Sequence, residues 1–332
     1  MKSITALFFS LFFVLSYGQL REKDVTVQKV LKLMGTRFEI TVVAPNEEIG
    51  YIYIDEAVSE IQRIEKIISS WDETSETSKI NKNAGIKPVK VSPELFGLIE
   101  RAIKISEITD GAFDITYASM DNIWKFDGSM KGAPKEADIK KSIAKIGYKK
   151  IVLDSENSTV YLPEAGMRLG FGAIGKGFAA DRAKQLLVSK EVKGGIINAS
   201  GDLTTWGTKV TGEKWLVGIA NPLSKDKVFS WMPIVESSVA TSGNYEKYIV
   251  LNGKKYSHII DPRTGYPTTG ISSVSIFAKQ AELCDALATA VFIMGRDVGL
   301  HMINQIDGVE AVVVDSENKI HKSTGIVFNT NQ

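Results

Sequence analysis

Apolar and polar positions alternate in two runs near the start of the chain, VTVQKVLKLM (Val25–Met34) and RFEITVVA (Arg37–Ala44), on either side of Gly35. A period of two marks strands with one buried face, so these runs should form a hairpin or a bent strand pair. From Ile49 to Trp71 the spacing becomes helical, with Ile54, Ala57, Val58, Ile61, Ile64, Ile67 and Ile68 on one face that should pack on the strands. Asp72–Gly85 is polar and rich in turn formers, and reads as a solvated loop. A short strand, KPVKV, leads to Ser92 as an N-cap and Pro93 in the first turn of a helix running to Thr109. Another short helix is expected over Ala137–Ile146.

The second half is richer in strands. KIVLD, STVYLP and MRLGF alternate with turns between Ile151 and Gly172, and a helix follows over Lys176–Val188. GGIINASGDL (Gly194–Leu203) reads as a buried strand ending in a glycine-rich turn. WLVGIANP, VFSWMPIV and KYIVLNGKKYSHII continue as strands, with turns at Asn221-Pro222 and Asn252-Gly253. SSVSIFA and VEAVVVD are strands separated by a helix that contains Leu283–Gly295. No internal repeat, low-complexity linker or domain boundary interrupts the pattern, so residues 24–328 are expected to form a single catalytic unit.

Composition narrows the picture. The 332 residues are 44% hydrophobic and 24% charged, ample for a large core, and the formal net charge of +1 supplies no global field toward nucleic acid or an anionic membrane surface. Residues 1–18 have the layout of a secretory signal peptide: Lys2, an apolar run ALFFSLFFVL, then Ser16, Tyr17 and Gly18. Cleavage is expected after Gly18, with no cysteine following to carry a lipid anchor. The mature protein should be exported, soluble and periplasmic, without stable membrane insertion. Cys284 is the only cysteine, so no intramolecular disulfide forms, and its apolar helical setting reads as a small buried side chain.

Candidate chemistry is concentrated late in the chain. Asp285 and Thr289 lie four positions apart on the expected helix and share a face. A carboxylate, a hydroxyl and nearby carbonyls make a hard oxygen site suited to Mg2+; the alternative is a capping Asp with a threonine bonded back to the helix. Gly170, Gly172 and Gly175 match the dinucleotide fingerprint GxGxxG, which would favour an NAD-linked dehydrogenase, but a lone match is weak. Lys176 opens the following helix, where a cation opposes the dipole, so it is either an ordinary exposed lysine or one with an anion nearby. His258, in SHIIDPRTG (Ser257–Gly265), is a candidate general base, and Asp261 either orients its ring or initiates the turn. Asp114 reads as a turn cap, and Trp71 as a helix-end core residue.

Seven strings in order resemble the ApbE family of FAD:protein FMN transferases: LMGTRFEI, SSWDETSETSKIN, GAFDIT, GFGAIGKGFAADRA, INASGDL, SHIIDPRTG and LCDALATAVFIMG. The resemblance implies an α+β fold of mixed, largely antiparallel sheets flanked by helices. It also implies phosphoryl transfer: a Thr or Ser hydroxyl of an acceptor protein, such as a membrane-bound redox subunit, takes FMN from FAD and AMP leaves. By the same resemblance Mg2+ is held by Asp285, Thr289 and the carbonyl of Ala173. Met34, Trp71, Ala112, Phe113, Asp114, Gly170, Lys176 and Ile260 would line the FAD pocket, although tyrosine is more usual than Trp71. Competing readings are an FAD pyrophosphatase using the same site and an exported flavin-binding protein without catalysis.

Overall fold

The computed structural model describes residues 24–220, 228–234, 236–244, 248–251 and 253–327. The expected signal segment, the Asn221-Pro222 turn and Asn252 lie outside them. The first hairpin pairs β1 (Val25–Leu33) with β2 (Thr36–Ala44) through Met34 and Gly35, both at positive φ (49° and 74°), the conformation of a tight hairpin turn. Helix α1 (Glu47–Ile68) begins where the Asn46 side chain accepts from the Ile49 N–H. Ile54, Ala57, Ile61, Ile64 and Ile68 are buried on its inner face as the spacing predicts, and each fully buried isoleucine contributes about 1.5–3 kcal/mol.

Two segments depart from the pattern. The expected loop after Trp71 contains helix α2 (Glu76–Lys82), started by Ser75, whose hydroxyl accepts from the Ser78 N–H. Its buried positions are Thr77, Ser78 and Ile80, so hydrophobic periodicity could not announce it. After β3 (Val89–Lys90), α3 (Pro93–Ile108), α4 (Glu136–Ile143), β4 (Val152–Asp154) and β5 (Thr159–Tyr161), the run MRLGF forms no strand. Side chains satisfy its backbone instead: Asn81 donates to the Leu169 carbonyl and accepts from the Leu169 N–H, and Ser119 makes the same exchange with Arg168.

Helix α5 (Gly175–Ser189) is followed by β6 (Gly194–Ala199), β7 (Asp202–Gly207), β8 (Trp215–Ala220) and β9 (Val228–Ile234). The chain continues through β10 (Ser238–Gly243), β11 (Tyr248–Leu251), β12 (Lys254–Ser257) and β13 (Ile271–Ala278). It ends in α6 (Ala281–Met294), α7 (Arg296–Ile303), β14 (Glu310–Asp315) and β15 (Ile320–Lys322). The principal sheet has eight strands in the order β1-β2-β6-β7-β10-β13-β14-β15, and each of its pairings is antiparallel. Smaller sheets pair β3-β5-β4, β8-β9 and β11-β12. The class is therefore α+β. Because no strand leads directly into Gly170 and β6, the strand after α5, pairs antiparallel on both sides, the GxGxxG string lacks the parallel βαβ unit that a dinucleotide fold requires. Helices α1, α5 and α6 cover one face of the sheet and share one core with it. No helix among the described residues is long and apolar enough to cross a membrane.

Candidate functional site

Neither α5 nor α6 begins with a side-chain cap of its own; their N-cap residues are Ile174 and Gln280. Each is capped by the other. Asp181 of α5 accepts from the N–H groups of Ala281 (3.0 Å) and Glu282 (2.9 Å), while Asp285 of α6 accepts from the Gly177 N–H at 3.1 Å. The exchange requires the two backbones to touch, and a Cβ built on Gly177 would lie 2.2 Å from the Ala281 carbonyl oxygen. Glycine at position 177 is therefore a packing requirement. Its consequence is that the Asp285 carboxylate sits at the positive end of the α5 dipole, although it belongs to another helix.

Above this crossing opens a cleft of about 720 Å3. Asp285, only 4% exposed, lies on its floor, and burial pushes its carboxyl above the usual carboxylate range against the opposing pull of Lys176 and the α5 N–H groups. Lys176 bonds to Oδ2 of Asp202, and its Nζ is also 3.7 Å from Asp285 Oδ1. The lysine at the unfavourable end of α5 thus has two anions. It is not an ordinary surface lysine. Burial also drives the Asp181 carboxyl up to about 6, outweighing its two backbone donors.

One helical turn beyond Asp285, the Thr289 hydroxyl is 3.2 Å from that of Ser242 on β10, and Ala173 lines the same cleft. Among the described residues no group of three or more His, Cys, Asp or Glu gathers around one point. Asp285, Thr289, Ser242 and the carbonyls of this loop are hard oxygen donors beside a buried carboxylate. Their chemistry would suit a hard cation such as Mg2+.

The remaining expected residues distribute around the walls. Met34 projects from the β1–β2 turn, with its N–H donating to Glu65 Oε2 at 3.3 Å, and Ala112, Phe113, Gly170 and Ile260 line the cleft beside it. Asp114 lines it too, but its oxygens already accept from Thr116 N–H and Oγ1 and from the Tyr148 N–H, so it caps the 3₁₀ turn Ile115–Ser119. Burial raises its carboxyl despite those bonds. Trp71, expected from composition to be core, is 93% exposed at the cleft, because α1 ends at Ile68 and the chain turns outward there.

His258 reaches the cleft with its ring edge-on to Phe126, centroids 6.5 Å apart at 82°. Asp261 does not line it. Its Oδ1 accepts from Arg263 N and Nε and its Oδ2 from Arg263 Nη2, and its carbonyl accepts from Thr264 and Gly265 N–H, so Asp261 initiates the turn. Sequence reasoning missed Asp202, Ser242 and Tyr117, the last with its hydroxyl pushed to about 12 by burial. A signal for Asp202 existed in the unbalanced cation at Lys176.

The sequence model of the ApbE family matches residues 34–313, a span that holds every cleft residue named above. The chain belongs to the ApbE family. A relative named FAD:protein FMN transferase, from Treponema pallidum (strain Nichols), is 32% identical over 289 residues, covering 82% of this chain and 80% of that protein. Among solved structures, the ApbE protein of Thermotoga maritima superposes with a TM-score of 0.82 at 31% identity, covering 90% of this chain and 97% of that one. The flavin transferase ApbE of Vibrio cholerae, at 23% identity, supports the fold with a TM-score of 0.80 over 91% of this chain and 98% of that one. The antiparallel sheet, the crossed helices and the cleft above them are thus set in an ApbE fold.

Proposed function

We propose that the chain is a Mg2+-dependent FAD:protein FMN transferase acting on a Thr or Ser hydroxyl of an acceptor protein. The acceptor oxygen attacks the phosphorus on the FMN side of the FAD pyrophosphate, its bond to the AMP phosphate breaks, and AMP leaves. Such transfers depend mainly on positioning and on neutralising phosphate charge.

Asp285, Thr289 and the Ala173 carbonyl hold the metal, which when bound neutralises pyrophosphate charge. Lys176 supplies a second positive charge to the phosphates at the α5 N-terminus. Trp71 offers an aromatic face for the flavin at the cleft mouth, with Met34, Phe113 and Ile260 as apolar wall. His258 takes the proton of the attacking hydroxyl. The acceptor is a redox subunit held at the membrane, met by an exported, periplasmic enzyme.

The observation that carries the reading is the buried Asp285 carboxylate at the floor of the cleft, beside Lys176, in a chain of this family. The test is Asp285→Ala assayed with FAD at saturating Mg2+. Transfer should fall on the order of 100-fold or more, and full activity would refute the metal assignment.

A further inference from the structure

Asp202 is 3% exposed at the start of β7, where its Oδ1 receives a long bond from the Thr241 N–H at 3.4 Å and its Oδ2 holds the Lys176 ammonium. Lys176 Nζ is also 3.7 Å from Asp285 Oδ1, so one ammonium stands between two buried carboxylates, engaged by the first and within reach of the second. With both carboxylates ionised the group carries one uncompensated negative charge, in a place where desolvation makes such a charge costly. Without Asp202, Lys176 would have Asp285 as its remaining carboxylate partner in the cluster and would close a neutral pair over it.

We propose that Asp202 is a positioning residue that anchors the Lys176 ammonium away from Asp285, leaving the Asp285 carboxylate open to a divalent cation. The proposal rests on the reading that Asp285 holds that cation. Asp202 then acts through Lys176. It serves two ends with one contact: it prevents the lysine from occupying the cation's place, and it keeps the same lysine within the cleft for an anionic substrate.

The mechanism separates Asp202 from a direct ligand or a distant charge, because its effect must disappear when Lys176 is removed. The experiment is calorimetric titration of Mg2+ alone into the wild-type protein and into Asp202→Asn, Lys176→Met, the double variant and Asp285→Ala, with circular dichroism confirming each fold. Asp202→Asn should weaken Mg2+ binding by about 10- to 100-fold, the range for residues that orient a ligand. Lys176→Met should bind Mg2+ at least as tightly as wild type, and the double variant should match Lys176→Met within about threefold, since non-additivity of this kind reports direct coupling. Asp202→Glu, which retains the anchor, should recover most of the affinity if Asp202→Asn folds poorly. Equal losses from Asp202→Asn with and without Lys176, or no loss at all, would overturn the proposal. Mg2+ binding that survives Asp285→Ala would instead overturn the metal reading beneath it.

Discussion

Gly177→Ala tests the packing that creates the site. In an ordinary helix interior this change should stabilise the protein by roughly 0.5–1 kcal/mol. Here the new Cβ would stand 2.2 Å from the Ala281 oxygen, 2.5 Å from its carbonyl carbon and 2.7 Å from the Glu282 nitrogen, all backbone atoms that no rotamer change can move. Ordinary contact begins near 3.4 Å, so α5 and α6 must part by about 1 Å. Overpacking of this kind costs about 1–3 kcal/mol. The same shift lengthens the bond from Gly177 N–H to Asp285, and a displacement of about 1 Å can cost on the order of 100-fold in rate. Thermal unfolding and FMN transfer measured on one preparation give both numbers. Gly97→Ala in α3 is the control, because its Cβ would meet only the flexible end of Arg101 at 3.3 Å and should be neutral or stabilising. A Gly177→Ala protein as stable and as active as wild type would refute the crossed-helix account.

Three further outcomes follow from the cleft and its supports. Asp181 binds its proton more tightly folded (about 6) than unfolded (3.8), so stability falls as pH rises between those values, by about 3 kcal/mol in all at 1.36 kcal/mol per unit; Asp181→Asn should flatten that slope in denaturant titrations at pH 4, 5, 6 and 7, and an unchanged slope would contradict the buried-carboxylate assignment. Trp71→Ala should leave unfolding within about 0.5 kcal/mol of wild type, because the ring is 93% exposed, while weakening FAD binding severalfold in a fluorescence titration; unchanged affinity would remove Trp71 from the flavin site. His258→Gln should slow transfer by about 100-fold or more at fixed pH and saturating FAD, whereas a wild-type rate would assign the proton to another group.

Legibility differed between elements for physical reasons. The β1–β2 hairpin and α1 were readable because one apolar face dominates each, with Ile54, Ile61 and Ile64 fully buried at the expected spacing. Helix α2 was not, since its inward positions include Thr77 and Ser78. MRLGF has strand composition, yet the side chains that complete its backbone bonding come from Asn81 and Ser119, far away in sequence. Where the sequence read as one helix between SSVSIFA and VEAVVVD there are two, α6 and α7, joined through Gly295 at φ 83°. At the site, the Asp285–Thr289 spacing was visible in the chain, and so was the oddity of Lys176. Lys176 signalled that an anion lay nearby, but that Asp202 is that anion, and that α5 and α6 exchange caps, depends on how the helices cross over the sheet.

The most direct test of FMN transfer is to incubate the protein with FAD and Mg2+, with and without a threonine-bearing acceptor domain, following AMP release and flavin fluorescence on a denaturing gel. Covalently fluorescent acceptor with a matching amount of AMP is the predicted result. AMP and free FMN with an unlabelled acceptor, or intact FAD throughout, would contradict it.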